Sequence, residues 1–170
     1  MKIAIAAVIA LLAGPAVAQQ HEHGHSPYAG AEKRAVKALS EQQIADLRAG
    51  RGMGLALAAE LNGYPGPVHV LELGDRLQLT QEQREQVRQL YEAMKAEAIA
   101  LGDKLLTGEQ ALDGAFAGQS ITSARLASLT ADIAQLQGQL RAVHLKYHLV
   151  TRDLLSSEQR RRYAELRGYQ

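Results

Sequence analysis

Residues 122–155 read TSARLASLTADIAQLQGQLRAVHLKYHLVTRDLL, and this stretch decides the fold. Its apolar residues recur in steps of three and four, the spacing that places one apolar stripe along a helix. The stripe keeps a heptad register over four heptads, as helices do when they pack side by side. We therefore expect one long helix over 122–155, with this stripe: Leu126, Leu129, Ile133, Leu136, Leu140, Val143, Tyr147, Val150 and Leu154.

A second long helix precedes it. Thr80 is a suitable N-cap, and the same helical spacing predicts a helix over 81–106, carried by Val87, Leu90, Tyr91, Met94, Ala98, Leu101 and Leu105. Gly108, Gly114 and Gly118 predict that 107–121 is a loop with one short helical piece over 109–116. Two long amphipathic helices joined by a short connection bury their stripes on each other. The predicted fold is all-α: an antiparallel long-helix hairpin with shorter flanking helices.

The flanking segments also favour helix. Residues 39–49 and 157–167 have clear start signals, 55–61 resumes a helical pattern, and a further helix is predicted over 68–77. Between the latter two, Asn62 to Pro67 (NGYPGP) indicates a turn. Since a single hairpin has more apolar stripe than these helices can cover, we also expect a homodimer.

The chain begins with a pattern typical of export. Lys2 is followed by an uncharged apolar run of eleven residues, then by Gly14-Pro15 and the sequence Ala16-Val17-Ala18. This predicts a cleavable signal peptide over 1–18, cut after Ala18, and a periplasmic protein. The apolar run is shorter than the roughly 20 residues of a membrane span, so we expect no stable span. A polar, His-rich, flexible segment is predicted over 19–38, followed by one helical domain over 39–170.

Composition narrows the function classes. Without Lys2, the chain has 18 basic and 18 acidic residues, and this balance gives no argument for nucleic-acid binding. There is no cysteine, no tryptophan and one phenylalanine, so packing of aliphatic side chains must supply the stability. No nucleophile motif or phosphate-binding loop is present, since the glycines at 50, 52 and 54 follow no strand. We expect a protein that is not an enzyme and requires no cofactor.

Three predicted helix starts share the pattern L-[ST]-x-x-Q. In each copy the hydroxyl can accept from a free amide, the Gln can bond back to the cap, and the preceding Leu can pack onto the helix. One copy lies at 39–43, and the other two comprise Leu79, Thr80 and Gln83, and Leu155, Ser156 and Gln159. Any one copy is explained by good capping alone.

Together, the signal peptide, the helical chain and the repeated motif resemble the Spy/CpxP (LTXXQ motif) family of periplasmic proteins. The copy at 79–83 fits the motif fully, whereas the copy at 155–159 has Ser for Thr. The resemblance covers about 70–168 and implies a cradle-like dimer of bent hairpins. It also implies ATP-independent binding of unfolded or misfolded envelope proteins under stress. Related CnrX- and ZraP-type proteins bind transition metals, so the resemblance leaves both roles open.

A chaperone needs an exposed, adaptable apolar surface with charges nearby. Arg84, Arg88 and the run 160–162 can form a basic rim. The predicted client-binding residues are Met53, Leu55, Leu57, Leu61, Val70, Leu73 and Met94. Each of these taken singly is also explained as ordinary core.

Histidines support the metal-binding alternative at the N-terminus. After cleavage, Gln19-Gln20-His21 would offer an amine, two backbone amides and an imidazole, a square-planar set for Cu(II) or Ni(II). His23 and His25 add further imidazoles, whereas cyclisation of Gln19 would remove the amine.

A second set of histidines lies on the long helix. His144 and His148 are four residues apart and can share one metal ion such as zinc. In the heptad register they lie just outside the seam, where two surface histidines are the simpler interpretation. Glu97 of the facing helix is expected nearby, and His69 is expected to be structural. A regulator that docks on a sensor kinase would use the same surfaces, so the sequence leaves three roles open.

Overall fold

The computed structural model describes residues 26–169, in which all regular structure is helical. A short 3₁₀ turn over Ala31–Lys33 precedes six α-helices. Their bounds are α1 (Glu41–Arg48), α2 (Leu57–Glu60), α3 (Pro67–Glu72), α4 (Gln81–Ala117), α5 (Ser123–Leu154) and α6 (Ser157–Arg167). The predicted fold class is confirmed. Within 26–169, no helix is both long and apolar enough to cross a membrane.

Helices α4 and α5 form the predicted hairpin, and the short helices pack on its two arms. α1 and α3 contact α4, whereas α2 and α3 contact α5. The bounds of α6 are those predicted, and Gly168 ends it with a left-handed φ of 73°. α3 ends at Glu72, short of the predicted 77.

The predicted loop over 107–121 is wrong, since α4 continues unbroken to Ala117. Two glycines of α4, Gly102 and Gly108, allow close packing against other helices. A Cβ on Gly102 would lie 2.8 Å from the backbone oxygen of Leu47, and one on Gly108 would lie 3.2 Å from the side chain of Ile133. The lost helix propensity of about 1 kcal/mol per glycine is offset by the contacts that this closeness allows.

All three L-[ST]-x-x-Q copies form complete capping boxes, as predicted. Ser40, Thr80 and Ser156 each accept a hydrogen bond from the backbone amide three residues later, and the Gln side chain bonds back. Leu79 and Leu155, which precede two of these caps, are buried. The motifs at 79–83 and 155–159 therefore each start a helix and also contribute one apolar side chain to the core.

The hairpin is filled by two separate apolar cores. The first core lies in the half of the hairpin nearer the turn between α4 and α5. It is formed by Val36, Leu47, Ala98, Leu105, Leu106, Ile133 and Leu140. The second core, around the start of α4 and α6, is formed by Val70, Leu77, Leu79, Val87, Leu155 and Tyr163. Between them, α5 buries the polar residues His144, His148 and Thr151. A polar layer thus separates the two cores.

The register of α5 changes at this layer, which corrects the predicted seam. Val143 is only half-buried and Val150 is 41 % exposed, whereas His144 is 2 % and His148 8 % exposed. The stripe rotates because α2 and α3 cover this side of α5 in addition to α4. The histidines expected at the helix surface are therefore interior residues.

Candidate metal site

A cavity of about 270 Å³ lies in the polar layer between the two cores. α5 contributes His144 and His148, α2 contributes Glu60, α3 contributes His69 and α4 contributes Met94. Five side chains from four helices, all with nitrogen, oxygen or sulfur donors, therefore line one space.

His148 is oriented by the turn that follows α2. Its Nδ1 donates to the backbone oxygen of Tyr64 over 2.7 Å. A carbonyl oxygen only accepts, so Nδ1 carries the proton, and in the neutral ring Nε2 carries the free lone pair. Metal-binding histidines are commonly oriented by a hydrogen bond of this kind.

Gly66 makes room for the same ring. A Cβ on Gly66 would lie 2.8 Å from both Cε1 and Nε2 of His148, closer than any side chain permits. Pro65 and Pro67 on either side of it are buried, so the turn has little freedom to move away. The predicted turn at 62–67 thus has a second role, since it packs against a candidate ligand.

His144 lies one helical turn before His148 and is almost fully buried. Its Nε2 has no hydrogen-bond partner among residues 26–169. Burial and, to a lesser degree, the charge of His148 lower the pKa of His144 below its ordinary value. A neutral imidazole with a free buried nitrogen is costly in an apolar core, but it is the form that binds a metal cation.

Glu60 supplies a buried negative charge beside these rings. Its Oε2 accepts from the backbone amide of Gly66 over 3.1 Å and lies 3.7 Å from Nδ1 of His148. Burial acts to raise the pKa of Glu60, but His69, Tyr163 and the Gly66 amide outweigh it and lower the pKa to about 2. The carboxylate is therefore ionised at neutral pH.

His69 completes the polar wall of the cavity. Its Nδ1 lies 3.4 Å from Oε1 of Glu60, in a geometry that makes no hydrogen bond. We expected His69 to be purely structural, but it lies beside the buried carboxylate of Glu60. Glu97 was also expected near the histidine pair, but it bonds instead to Lys146 over 2.8 Å and Tyr147 over 2.7 Å.

The donors surround the cavity without forming a coordination sphere. In the described part of the chain, no group of three or more His, Asp or Glu side chains is already arranged to hold a metal ion. The donor types nevertheless suit a metal cation. They are a free buried nitrogen on His144, an oriented lone pair on His148 and the anionic carboxylate of Glu60. His21, His23 and His25 lie outside the described residues.

The residues predicted to bind clients fall into three groups by exposure. Met53, Leu57 and Leu61 are 41–58 % exposed, and Leu55 and Leu73 are half-buried. Val70 belongs to the second core, and Met94 is 6 % exposed and lines the cavity. Both are too deeply buried to contribute to an open apolar surface.

Sequence reasoning missed Glu60. The available signal was one acidic residue in the otherwise apolar stretch LALAAEL, just before a turn rich in proline and glycine. A charge at that position is either solvated or paired, and its partners at 148, 163 and 169 lie far away in sequence.

The architecture defines a class: a helical hairpin whose interior holds a cavity lined by histidine and glutamate. The sequence profile of the heavy-metal resistance family matches residues 53–162, more than half of the chain. The chain belongs to the heavy-metal resistance family. This family lies within the Spy/CpxP-like superfamily, so the resemblance found in the sequence is confirmed at that broader level, and membership of Spy/CpxP itself stays a prediction. No curated protein and no solved structure matches the chain significantly.

Proposed function

We propose that this protein binds a heavy-metal cation in the periplasm, with His144 and His148 as its principal ligands and Glu60 and His69 beside them. The observation that carries the proposal is the pair on α5: the unpartnered Nε2 of His144 and the oriented ring of His148 line one cavity. Membership of the heavy-metal resistance family supports this role over the others.

The donor types favour certain metals. Imidazole and carboxylate suit Zn(II), Ni(II) and Cu(II), whereas the thioether of Met94 favours softer ions such as Cu(I). Because Glu60 carries one negative charge and burial disfavours the protonated form of His144, the site favours a metal cation over protonation of His144. The imidazoles and the carboxylate must move closer together so that each can bind the metal ion over about 2 Å.

Calorimetric titration of the tag-free chain, purified from the periplasm, tests this proposal with Zn(II), Ni(II) and Cu(II) in turn. We expect binding that is lost in His144→Ala and in His148→Ala. The triple variant His21→Ala/His23→Ala/His25→Ala is the control, since it removes three imidazoles and leaves those of the cavity in place. Binding lost only in the triple variant would instead assign the metal to the N-terminal segment.

A chaperone activity is the second candidate, supported by the exposure of Met53, Leu57 and Leu61 close together in sequence. An adaptable apolar surface of this kind can hold non-native chains without ATP. Suppression of aggregation of a denatured client, reduced in Leu57→Ser/Leu61→Ser, tests it. No suppression at several-fold molar excess contradicts it.

Homodimerisation and docking on a sensor kinase remain predictions. Sedimentation of the purified chain at micromolar concentration tests the dimer, and a monomer under those conditions contradicts it. Cleavage after Ala18 is tested by sequencing the N-terminus of the secreted protein, which also decides whether His21 becomes its third residue.

A further inference from the structure

The end of the C-terminal helix contacts the candidate metal site through a single carboxylate. Oε1 of Glu60 accepts hydrogen bonds from the hydroxyls of Tyr163 and Tyr169, the latter over 3.1 Å. Nε of Arg167 lies 3.6 Å from the same oxygen. Three side chains from the end of α6 and the residues after it thus converge on one oxygen of Glu60.

The two oxygens of Glu60 have different surroundings. Oε2 accepts from Gly66 and faces His148, one of the two principal candidate ligands. Oε1 faces the C-terminal residues, with His69 at 3.4 Å. Any change in the charge near one oxygen is therefore felt by the hydrogen bonds to the other.

We infer that Tyr163, Tyr169 and Arg167 are positioning residues that act on the metal site through Glu60, so that metal binding loosens the end of α6. The inference rests on the proposed metal binding. A cation bound beside Glu60 draws the negative charge of the carboxylate toward itself, which weakens the hydrogen bonds to Oε1, and it repels the guanidinium of Arg167. Coupling is reciprocal, so a weaker hold of the C-terminal residues on Glu60 raises the metal affinity.

The loosening is confined to the C-terminal part of α6 and the residues that follow it. The beginning of α6 is held by contacts that do not involve Glu60: Gln159 bonds to Gln83, and Nε of Arg162 donates to the backbone oxygen of Arg76 over 2.7 Å. The ring of Tyr163 remains packed in the second core. The segment that responds is therefore 163–169.

Hydrogen exchange of the tag-free chain with and without Zn(II) tests the first half of the inference. We expect backbone amides in 163–169 to exchange faster when Zn(II) is bound. α1 is the internal control, because it starts with the same capping box and packs on α4. Unchanged or slower exchange in 163–169, while calorimetry shows Zn(II) bound, overturns the inference and leaves the proposed function intact.

Substitutions test the reciprocal half. Arg167→Gln removes the nearby positive charge at a partly exposed position, and we expect it to tighten Zn(II) binding about fivefold or more. Arg161→Gln is the matched control: Arg161 lies on the same helix, and its partners are Glu158 and Glu165. Equal affinities of the two variants overturn the inference.

A spectroscopic readout separates positioning from mere structural support. The chain has six tyrosines and no tryptophan, so its near-ultraviolet spectrum reports tyrosine. We expect Zn(II) to produce a tyrosine difference spectrum that is reduced in Tyr163→Phe, which retains the ring in the core. Tyr147→Phe is the control, because Tyr147 donates to Glu97 instead of Glu60. A difference spectrum that persists unchanged in Tyr163→Phe contradicts the inference. A chain that binds no metal at all overturns the proposed function, and this inference with it.

Discussion

The side-chain amides of Gln83 and Gln159 hydrogen-bond each other in both directions. Nε2 of Gln83 lies 3.0 Å from Oε1 of Gln159, and Nε2 of Gln159 lies 2.9 Å from Oε1 of Gln83. Each Oε1 also accepts from the backbone amide of its own cap, Thr80 or Ser156. The two motifs that begin α4 and α6 are thus one joined structure, whereas the third Gln of this pattern, Gln43, only caps its own helix.

Gln83→Glu tests how much this pair of hydrogen bonds contributes to stability. A glutamate still completes a capping box, but it cannot donate to Gln159 or to the backbone oxygen of Leu154. We expect a loss of about 1–3 kcal/mol in the free energy of unfolding, measured by urea denaturation at pH 7. Gln43→Glu, at an unpaired capping box, is the control and should change the free energy by less than about 0.5 kcal/mol. Equal losses in both variants would contradict a special role for the pair.

The sequence predicted those features of the fold that depend on residues close together along the chain. The three caps, the start of α4 and both ends of α6 follow from local hydrogen-bonding chemistry, and they are where the patterns placed them. Gly108 misled because its effect depends on Ile133, which lies on another helix. In the same way, the burial of His144 depends on α2 and α3, which no periodicity within α5 reveals.

His144→Leu and His148→Leu should change stability in opposite directions in the metal-free protein. At 144, leucine removes a buried nitrogen without a partner, and we expect a gain of about 1 kcal/mol in the free energy of unfolding. At 148, the same substitution deprives the Tyr64 carbonyl of its donor, and we expect a loss of about 1 kcal/mol or more. Thermal and urea unfolding with a chelator present measure both. Losses of similar size would show that Nε2 of His144 has a partner in solution.

Gly66→Ala should weaken metal binding and destabilise the fold. The added Cβ would lie 2.8 Å from the ring of His148, so the ring or the buried turn must shift. We expect a loss of about 1–3 kcal/mol in the free energy of unfolding and at least about tenfold weaker Zn(II) binding. The control is Gly138→Ala in α5, where a Cβ meets nothing within 4 Å, and there we expect a slight gain in stability from helix propensity. Unchanged Zn(II) affinity in Gly66→Ala would exclude His148 as a ligand.

Glu60 should make the metal-free protein sensitive to acid. Its pKa is about 2 in the folded chain against an ordinary value of 4.5. The unfolded chain therefore takes up this proton first as the pH falls. The stabilisation from the ionised Glu60 is complete above about pH 5 and is lost progressively from there toward pH 2. The difference between the two pKa values corresponds to a contribution of at most about 3 kcal/mol to the free energy of unfolding.

Comparison with Glu60→Gln isolates this contribution, because every other carboxylate titrates in both proteins. Urea unfolding of each at several pH values, with a chelator present, gives the difference in their free energies of unfolding. We expect the unaltered chain to exceed the variant by the largest amount near pH 6. The advantage should then shrink steadily below pH 5. A difference that stays constant between pH 6 and pH 3 would show that the interactions of Glu60 do not favour its charged form.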